Sequence, residues 1–373
     1  MNPLHALHEQ VDAELQAYGD IVIVSTFGQP QAEYAAIRKG AAIMDQPYRG
    51  VIELTGKDRL SFLNNLLTNQ VYSKQTNTAL ATHSGVYAFM LETTGRIICD
   101  MNVLELGDRT FLDVDGRMVD ALLKVFDRYL FGEQVKLTSR ADSLHSLFLT
   151  GPGALDVLNP AIEPKIGALA ALGSAAGRVL GRDVVIFRDD VCGSAGYTML
   201  CPIEAAEAIW KHFTPAASSE PSPLAASCAR PVGWAAYNAT RIEAGRPLFG
   251  IDFDNTMLPA ETGQLARGVS FTKGCYLGQE IVARMQSRGQ LAKQIVGIRM
   301  DDDALPIAGN KIHDEQQNPI GVITSSTISP VLSNAAICLG HVKKPFYSLG
   351  SKVRIPAEGA MRVGAVVALP FVG

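Results

Sequence analysis

One pattern occurs twice in the first two thirds of this chain. Val51-Ile52-Glu53-Leu54-Thr55-Gly56 alternates like a strand and runs into the helix-like LSFLNNLL. Leu147-Phe148-Leu149-Thr150-Gly151 is again strand and Gly, ahead of Ala154-Leu155-Asp156-Val157-Leu158. Each copy is followed, after further strands, by a strand-then-helix pair, FLDVD with MVDALLKVFDRYL and then YTMLC with IEAAEAIWKHF. In the first of these helices Met118, Ala121, Leu122, Val125, Phe126, Tyr129 and Leu130 recur at i, i+3, i+4, i+7 and i+8, which marks one apolar face. Strand-Gly-helix units also recur by chance. The pattern favours a pseudo-repeat of roughly 90 residues, each copy an α+β layer whose helices cover one sheet face. Two such copies packed together predict a central cleft, the usual place for a ligand.

After Arg284 the texture changes. QIVGIRM, IGVITSS, AICLGHV, KVRIP and VGAVVALPFV are short apolar runs separated by Gly, Asn and Pro, which predicts a small antiparallel barrel. Thr214 to Ser227 is rich in Pro, Ser and Ala and reads as an exposed connection. The expected division is 1–145 as a first α+β subdomain, 146–290 as a second with the connection, and 291–373 as a β-barrel. At 373 residues, 47% hydrophobic and 19% charged, the chain is a folded protein of more than one core. A net charge of −4 gives no support to nucleic-acid binding. Cys99, Cys192, Cys201, Cys228, Cys275 and Cys338 are scattered without metal-ligand spacing, which predicts free thiols, a reducing compartment and no structural zinc. MNPLHALHEQVDAEL lacks the apolar stretch of a secretory signal, and no window is long enough to span a membrane. The expectation is a cytoplasmic protein.

The most informative stretch is Lys273-Gly274-Cys275-Tyr276-Leu277-Gly278-Gln279-Glu280. Thiolate is the reactive form of cysteine, and a neighbouring cation such as Lys273 favours it. Gly274 and Gly278 permit positive φ and close backbone approach. The alternative is a glycine-rich turn with an incidental cysteine. KGCYLGQE, followed by Ile281-Val282-Ala283-Arg284 and Gly289, resembles the signature of the YgfZ-type folate-binding proteins, relatives of the glycine cleavage T-protein, an aminomethyltransferase. The resemblance runs from about Tyr34 to the C-terminus. It implies a folate-binding region of α+β repeats, a C-terminal β-barrel and tetrahydrofolate as ligand.

Against that family, individual residues acquire expected roles. Arg241-Ile242-Glu243-Ala244-Gly245 is similar to the R-x-E-x-G element whose Glu faces the pterin, and a carboxylate accepts a pterin's donor pair in bidentate fashion. The plain alternative for Arg241 and Glu243 is an exposed charge pair on a helix. Asp252, Asp254 and Glu261 lie in a Pro/Gly-bounded loop, where surface acid is one reading open to any of them, and Glu261 resembles a P-x-E position. Asp100 matches the second of two adjacent acids near the folate nitrogen that accepts the one-carbon unit, but the first of the pair is Cys99 here. Asp100 is equally a turn residue by composition. Tyr87 falls where the transferases place a ring against the ligand, or is a core tyrosine. Arg284, Lys293, Lys273 and Tyr276 are candidates for the folate and its carboxylate tail, although Arg284 is also spaced for a salt bridge with Glu280. His83 reads as a loop residue, and the other histidines form no triad.

Two functions follow from the resemblance. One is an accessory protein that binds tetrahydrofolate and assists iron–sulfur cluster assembly or maintenance through Cys275, in transient contact with iron–sulfur proteins or their assembly factors. A single thiolate cannot hold a cluster, which takes about four protein ligands. The other is a folate-dependent aminomethyltransferase in which Asp100 manages the proton. A folate-binding module without transferase activity is a third, blander option.

Overall fold

The computed structural model describes residues 2–214, 228–289 and 291–372. The expected connection, apart from Thr214, lies outside the described residues. The chain divides into two compact units, one of Met1–Leu63, Val71–Tyr87 and Met101–Tyr237, the other of Asn64–Gln70, Ala88–Asp100 and Asn238–Gly373.

Both strand-Gly-helix signals are real. The strand Arg49–Thr55 leads to the helix Arg59–Leu66, and the strand Leu144–Thr150 leads to the helix Ala154–Leu158. Arg49–Thr55 sits in a five-stranded sheet beside Lys136–Ser139 and Arg109–Asp115, with Ile97–Glu105 and Ser84–Leu91 completing the order. Leu144–Thr150 sits in a seven-stranded sheet between Gly196–Pro202 and Ala42–Asp45. One face of that sheet, with Leu147, Leu149, Met199 and Cys201, is closed by Ala206, Ile209, Trp210 and Phe213 of the helix Ala206–Phe213.

The helix following FLDVD is shorter than its pattern predicts. Asp115 accepts from Arg117 N and caps a 3-10 turn Gly116–Met118, and the helix proper is Val119–Asp127. Its buried face is Val119, Leu122 and Phe126, so Tyr129 and Leu130 fall beyond its end and Ala121 is exposed. A local N-cap turn, rather than the apolar periodicity, sets where this helix begins.

In the second unit, six strands from Lys293–Met300 to Ala360–Val367 form a closed barrel. Ile298, Ile312, Cys338, Val342 and Ile355 are among the side chains that fill it. Full closure removes exposed strand edges. The longest barrel strand, Pro319–Ser329, has a register shift between Ile323 and Ser325 where it pairs with Ala335–Lys343.

Candidate functional site

The R-x-E-x-G element ends the helix Trp234–Glu243, and the structure gives each of its three defining residues a task. Arg241 is completely buried, so the alternative of an exposed charge pair on the helix is excluded. Its guanidinium donates to Asp252, to Ser325 Oγ at 2.6 Å, to Asn238 Oδ1 at 2.7 and 3.0 Å, and to the Arg246 carbonyl at 3.2 Å. Asp252 is not the surface acid the loop suggested. It has no exposure and also accepts from Leu248 N at 3.0 Å and from the hydroxyls of Thr324 and Ser325 at 2.6 Å. A buried ion pair is tolerated when its remaining donors and acceptors are met, as they are here. His341 Nε2 lies 2.6 Å from the Asp252 carbonyl, and burial holds this imidazole below its ordinary pKa, in keeping with a neutral donor.

Glu243 is likewise fully buried. Its Oε1 accepts from Ser329 Oγ at 2.5 Å, and its carbonyl accepts from Phe371 N at 2.9 Å and Val372 N at 3.2 Å. Gly245 has φ +62°, and a Cβ there would lie 2.9 Å from Leu369 Cβ, so glycine is required where the C-terminal segment crosses the helix end.

Asp100 is half-buried in the strand Ile97–Glu105, after a fully buried Cys99. The turn before this strand carries the thiol loop. Gly278, at φ +78°, stands over it, and a Cβ would lie 2.7 Å from the Glu92 carbonyl. Gly278 therefore answers to close approach, as its sequence context implied. Gly274 does not: it lacks a positive φ, and nothing lies within 4 Å of where its Cβ would be. Cys275 is exposed, whereas Cys99, Cys192, Cys201 and Cys338 are buried.

Lys273 faces away from solvent. Its ammonium donates to the carbonyls of Asn64 at 2.7 Å, Leu67 at 2.5 Å and Asn69 at 3.0 Å, at the C-terminal end of the helix Arg59–Leu66. All three N–H bonds are committed, so Lys273 acts on the thiol loop as an anchor. Burial pulls this group down to about 7, while three carbonyls and the negative end of a helix favour its charged form. Tyr276 packs beside it with Nζ 5.0 Å from the ring centre, and burial pushes the phenol up to about 12.

The turn carrying Glu261 packs against the helix of Arg284 and the strand of Lys293. Arg284 pairs with Glu280 at 2.6 Å along the helix Gln279–Arg288, as the spacing allowed. Glu261 caps a turn by accepting from Leu258 N at 3.0 Å. Lys293 begins the first barrel strand opposite Lys343. Tyr87 is buried in the strand Ser84–Leu91.

Sequence reasoning missed two constellations. His8 and His145 both hydrogen-bond Asp45, at 2.8 and 2.7 Å, so the histidines are less scattered than they look. Burial alone would raise the Asp45 carboxyl, but His145 and His8 hold it well below the usual range. Sequence separations of 37 and 100 leave no local signal for this cluster. Ser325 and Ser329 are the second, since nothing in a strand of small polar residues announces which carboxylate each will meet.

A groove of about 820 Å³ lies in the first unit, lined among others by Phe111, Arg140, Glu163, Arg178, Val185 and Leu200. None of the candidate residues lines it. Among the described residues no three His, Cys, Asp or Glu side chains are grouped to hold a metal ion. No helix there is long and apolar enough to cross a membrane.

Two α+β sheets followed by a closed six-stranded barrel, with an R-x-E-x-G helix end tied to that barrel, define the fold class of this chain. The chain belongs to the glycine cleavage T-protein family: residues 4–273 match the GCVT N-terminal domain and residues 293–372 the glycine cleavage T-protein C-terminal barrel domain. An aminomethyltransferase of Chloroherpeton thalassium is 29% identical over 370 residues, covering 99% of this chain and 98% of its own. A probable aminomethyltransferase of Haloarcula marismortui is 28% identical over 384 residues, covering 99% and 98%. The crystal structure of the glycine cleavage aminomethyltransferase T from Bartonella henselae shares the fold, with a TM-score of 0.86 and 23% identity, covering 99% of this chain and 97% of that one.

Proposed function

We propose that the protein binds tetrahydrofolate and transfers a one-carbon unit in the manner of an aminomethyltransferase. The observation that carries this reading is the match of both family domains along almost the whole chain, to relatives bearing that name. Glu243 supplies a buried carboxylate already oriented by a hydroxyl, suited to a pterin's donor pair. No surface of Glu243 is open to solvent, so a pterin edge meets it only when neighbouring side chains move aside. Asp100, half-buried on its strand, takes or gives the proton at the folate nitrogen that receives the one-carbon unit. The test is turnover of an aminomethylated lipoyl carrier with tetrahydrofolate. Asp100→Asn should lower kcat by about 10²-fold or more while leaving folate affinity within a few-fold. Turnover no faster than the uncatalysed reaction would remove the transferase reading.

The exposed thiol favours a second reading. Cys275 is held outward on a loop anchored by Lys273, beside a glycine the backbone does not need, and aminomethyl transfer has no evident use for it. An accessory role in iron–sulfur cluster maintenance, as in the YgfZ-type proteins, would use that sulfur in contact with a client or assembly factor. Cys275→Ala should then bind tetrahydrofolate normally yet fail to restore iron–sulfur enzyme activity in cells lacking the protein. Full restoration would dismiss this role.

A further inference from the structure

The groove of the first unit is lined from both of the large sheets, by Phe111 of the five-stranded one and by Val185 and Leu200 of the seven-stranded one. Strands rather than loops supply these apolar side chains, so the walls stand before any ligand arrives. His83, also on the lining, ties the two sheets together. Its N–H donates to the Glu105 carbonyl at 2.7 Å, and its own carbonyl accepts from Ser174 N at 2.9 Å. It does so at a φ of 64°, uncommon for a residue other than glycine, and such backbone is concentrated at functional sites.

The lining charges sort into those already matched and those not. Arg109 holds Asp108 at 2.6 and 3.0 Å, and Arg178 holds Asp183 at 2.8 Å. Arg140 and Glu163 remain. Arg140 follows the strand Lys136–Ser139 of the five-stranded sheet, with 34% of its side chain exposed. Its Nε lies 3.7 Å from Glu53, beyond hydrogen-bond reach, and among the described residues its guanidinium makes no hydrogen bond. Glu163 belongs to the strand Ile162–Glu163 of the seven-stranded sheet and is exposed. Among the described residues its carboxylate has neither a hydrogen bond nor an ion pair.

We propose that the groove is a second binding site, taking a zwitterion with an apolar body, an amino acid or short peptide whose carboxylate meets Arg140 and whose ammonium meets Glu163. A plain anion would bring no partner to Glu163, and a plain cation none to Arg140. Apolar contact with Phe111, Val185 and Leu200 holds the body, and the two charge-assisted pairs set its direction. A volume of about 820 Å³ is within the range of small-ligand sites. The proposal stands apart from the folate reading, since neither Glu243 nor Asp100 lines the groove.

The experiment is calorimetric titration of the full chain with L-phenylalanine and with L-leucyl-L-phenylalanine. Two blocked forms of the dipeptide accompany them, one N-acetylated and one with its carboxylate made an amide. Wild type should bind the zwitterions and prefer the dipeptide about tenfold or more over each blocked form, the effect of one charge-assisted hydrogen bond. Arg140→Met should erase only the preference over the amide, and Glu163→Gln only the preference over the acetylated form, with Tm unchanged in both. Tetrahydrofolate should not compete. Absence of binding by wild type at millimolar zwitterion, or binding indifferent to both blocks, overturns the proposal and leaves the folate reading standing. Displacement of the dipeptide by tetrahydrofolate also overturns it, by placing both in one site.

Discussion

Arg241 and Asp252 are the residues whose loss should cost most. Arg241→Met leaves Asp252 without a counter-charge in a site closed to water, and such unpaired buried charges cost roughly 3–5 kcal/mol. Urea denaturation should show the midpoint falling accordingly, and a loss below about 1 kcal/mol would mean the pair is idle. Reactivity should separate the thiols as sharply. Burial pushes Cys201 and Cys338 up to about 12, whereas Cys275 is exposed. Brief iodoacetamide treatment at pH 8 should therefore modify Cys275 and spare those two, as read by peptide mass spectrometry. At this scale the sequence told part of the story. KGCYLGQE singled out a cysteine that is exposed, through the glycines and the cation around it. It misplaced the cation's purpose, because adjacency in sequence does not say that Lys273 turns toward carbonyls more than 200 positions earlier.

The thiol loop and the turn beneath it form an element whose two glycines differ. Gly278→Ala forces a methyl group toward the Glu92 carbonyl at a positive φ, which should cost about 1–3 kcal/mol and several degrees of Tm. Gly274→Ala meets open space at an ordinary φ and should leave Tm within a degree or two of wild type. Equal effects in calorimetric scans would contradict the docking described. Elements were the most legible level of this chain. Apolar runs ending in glycine named both repeat strands, because a mostly buried strand and the turn after it are written in neighbouring residues. The helix after FLDVD was overextended at its far end, where Tyr129 N and Leu130 N turn back to the Phe126 and Asp127 carbonyls, and hydrophobic spacing carries no trace of those hydrogen bonds.

For the whole molecule, the pH dependence has a definite sign on the alkaline side. Cys201 and Cys338 keep their protons up to about 12, whereas in an unfolded chain they release them near 9. The native state then holds more protons, so stability falls as pH rises from about 9 to 12. Lys273, pulled down to about 7, works the other way between there and 10.5, because its unfolded form holds the extra proton. Denaturation midpoints at pH 8, 9.5 and 11 should rise or stay level and then decline, and Lys273→Met should remove any rise. The C-terminal barrel was foreseeable because short apolar runs between turns admit few other closures. The link from that barrel to Glu243 was not, since Ser329 lies 86 positions away from its carboxylate.

The outward-facing sulfur at position 275 also has a practical side. Two molecules meeting in aerated buffer have a ready means of becoming one covalent species. Preparations kept without a reductant should accumulate a doublet-mass band on non-reducing gels. Any kinetic or binding record taken from such stocks would describe a mixture, with the sulfur of interest consumed in part.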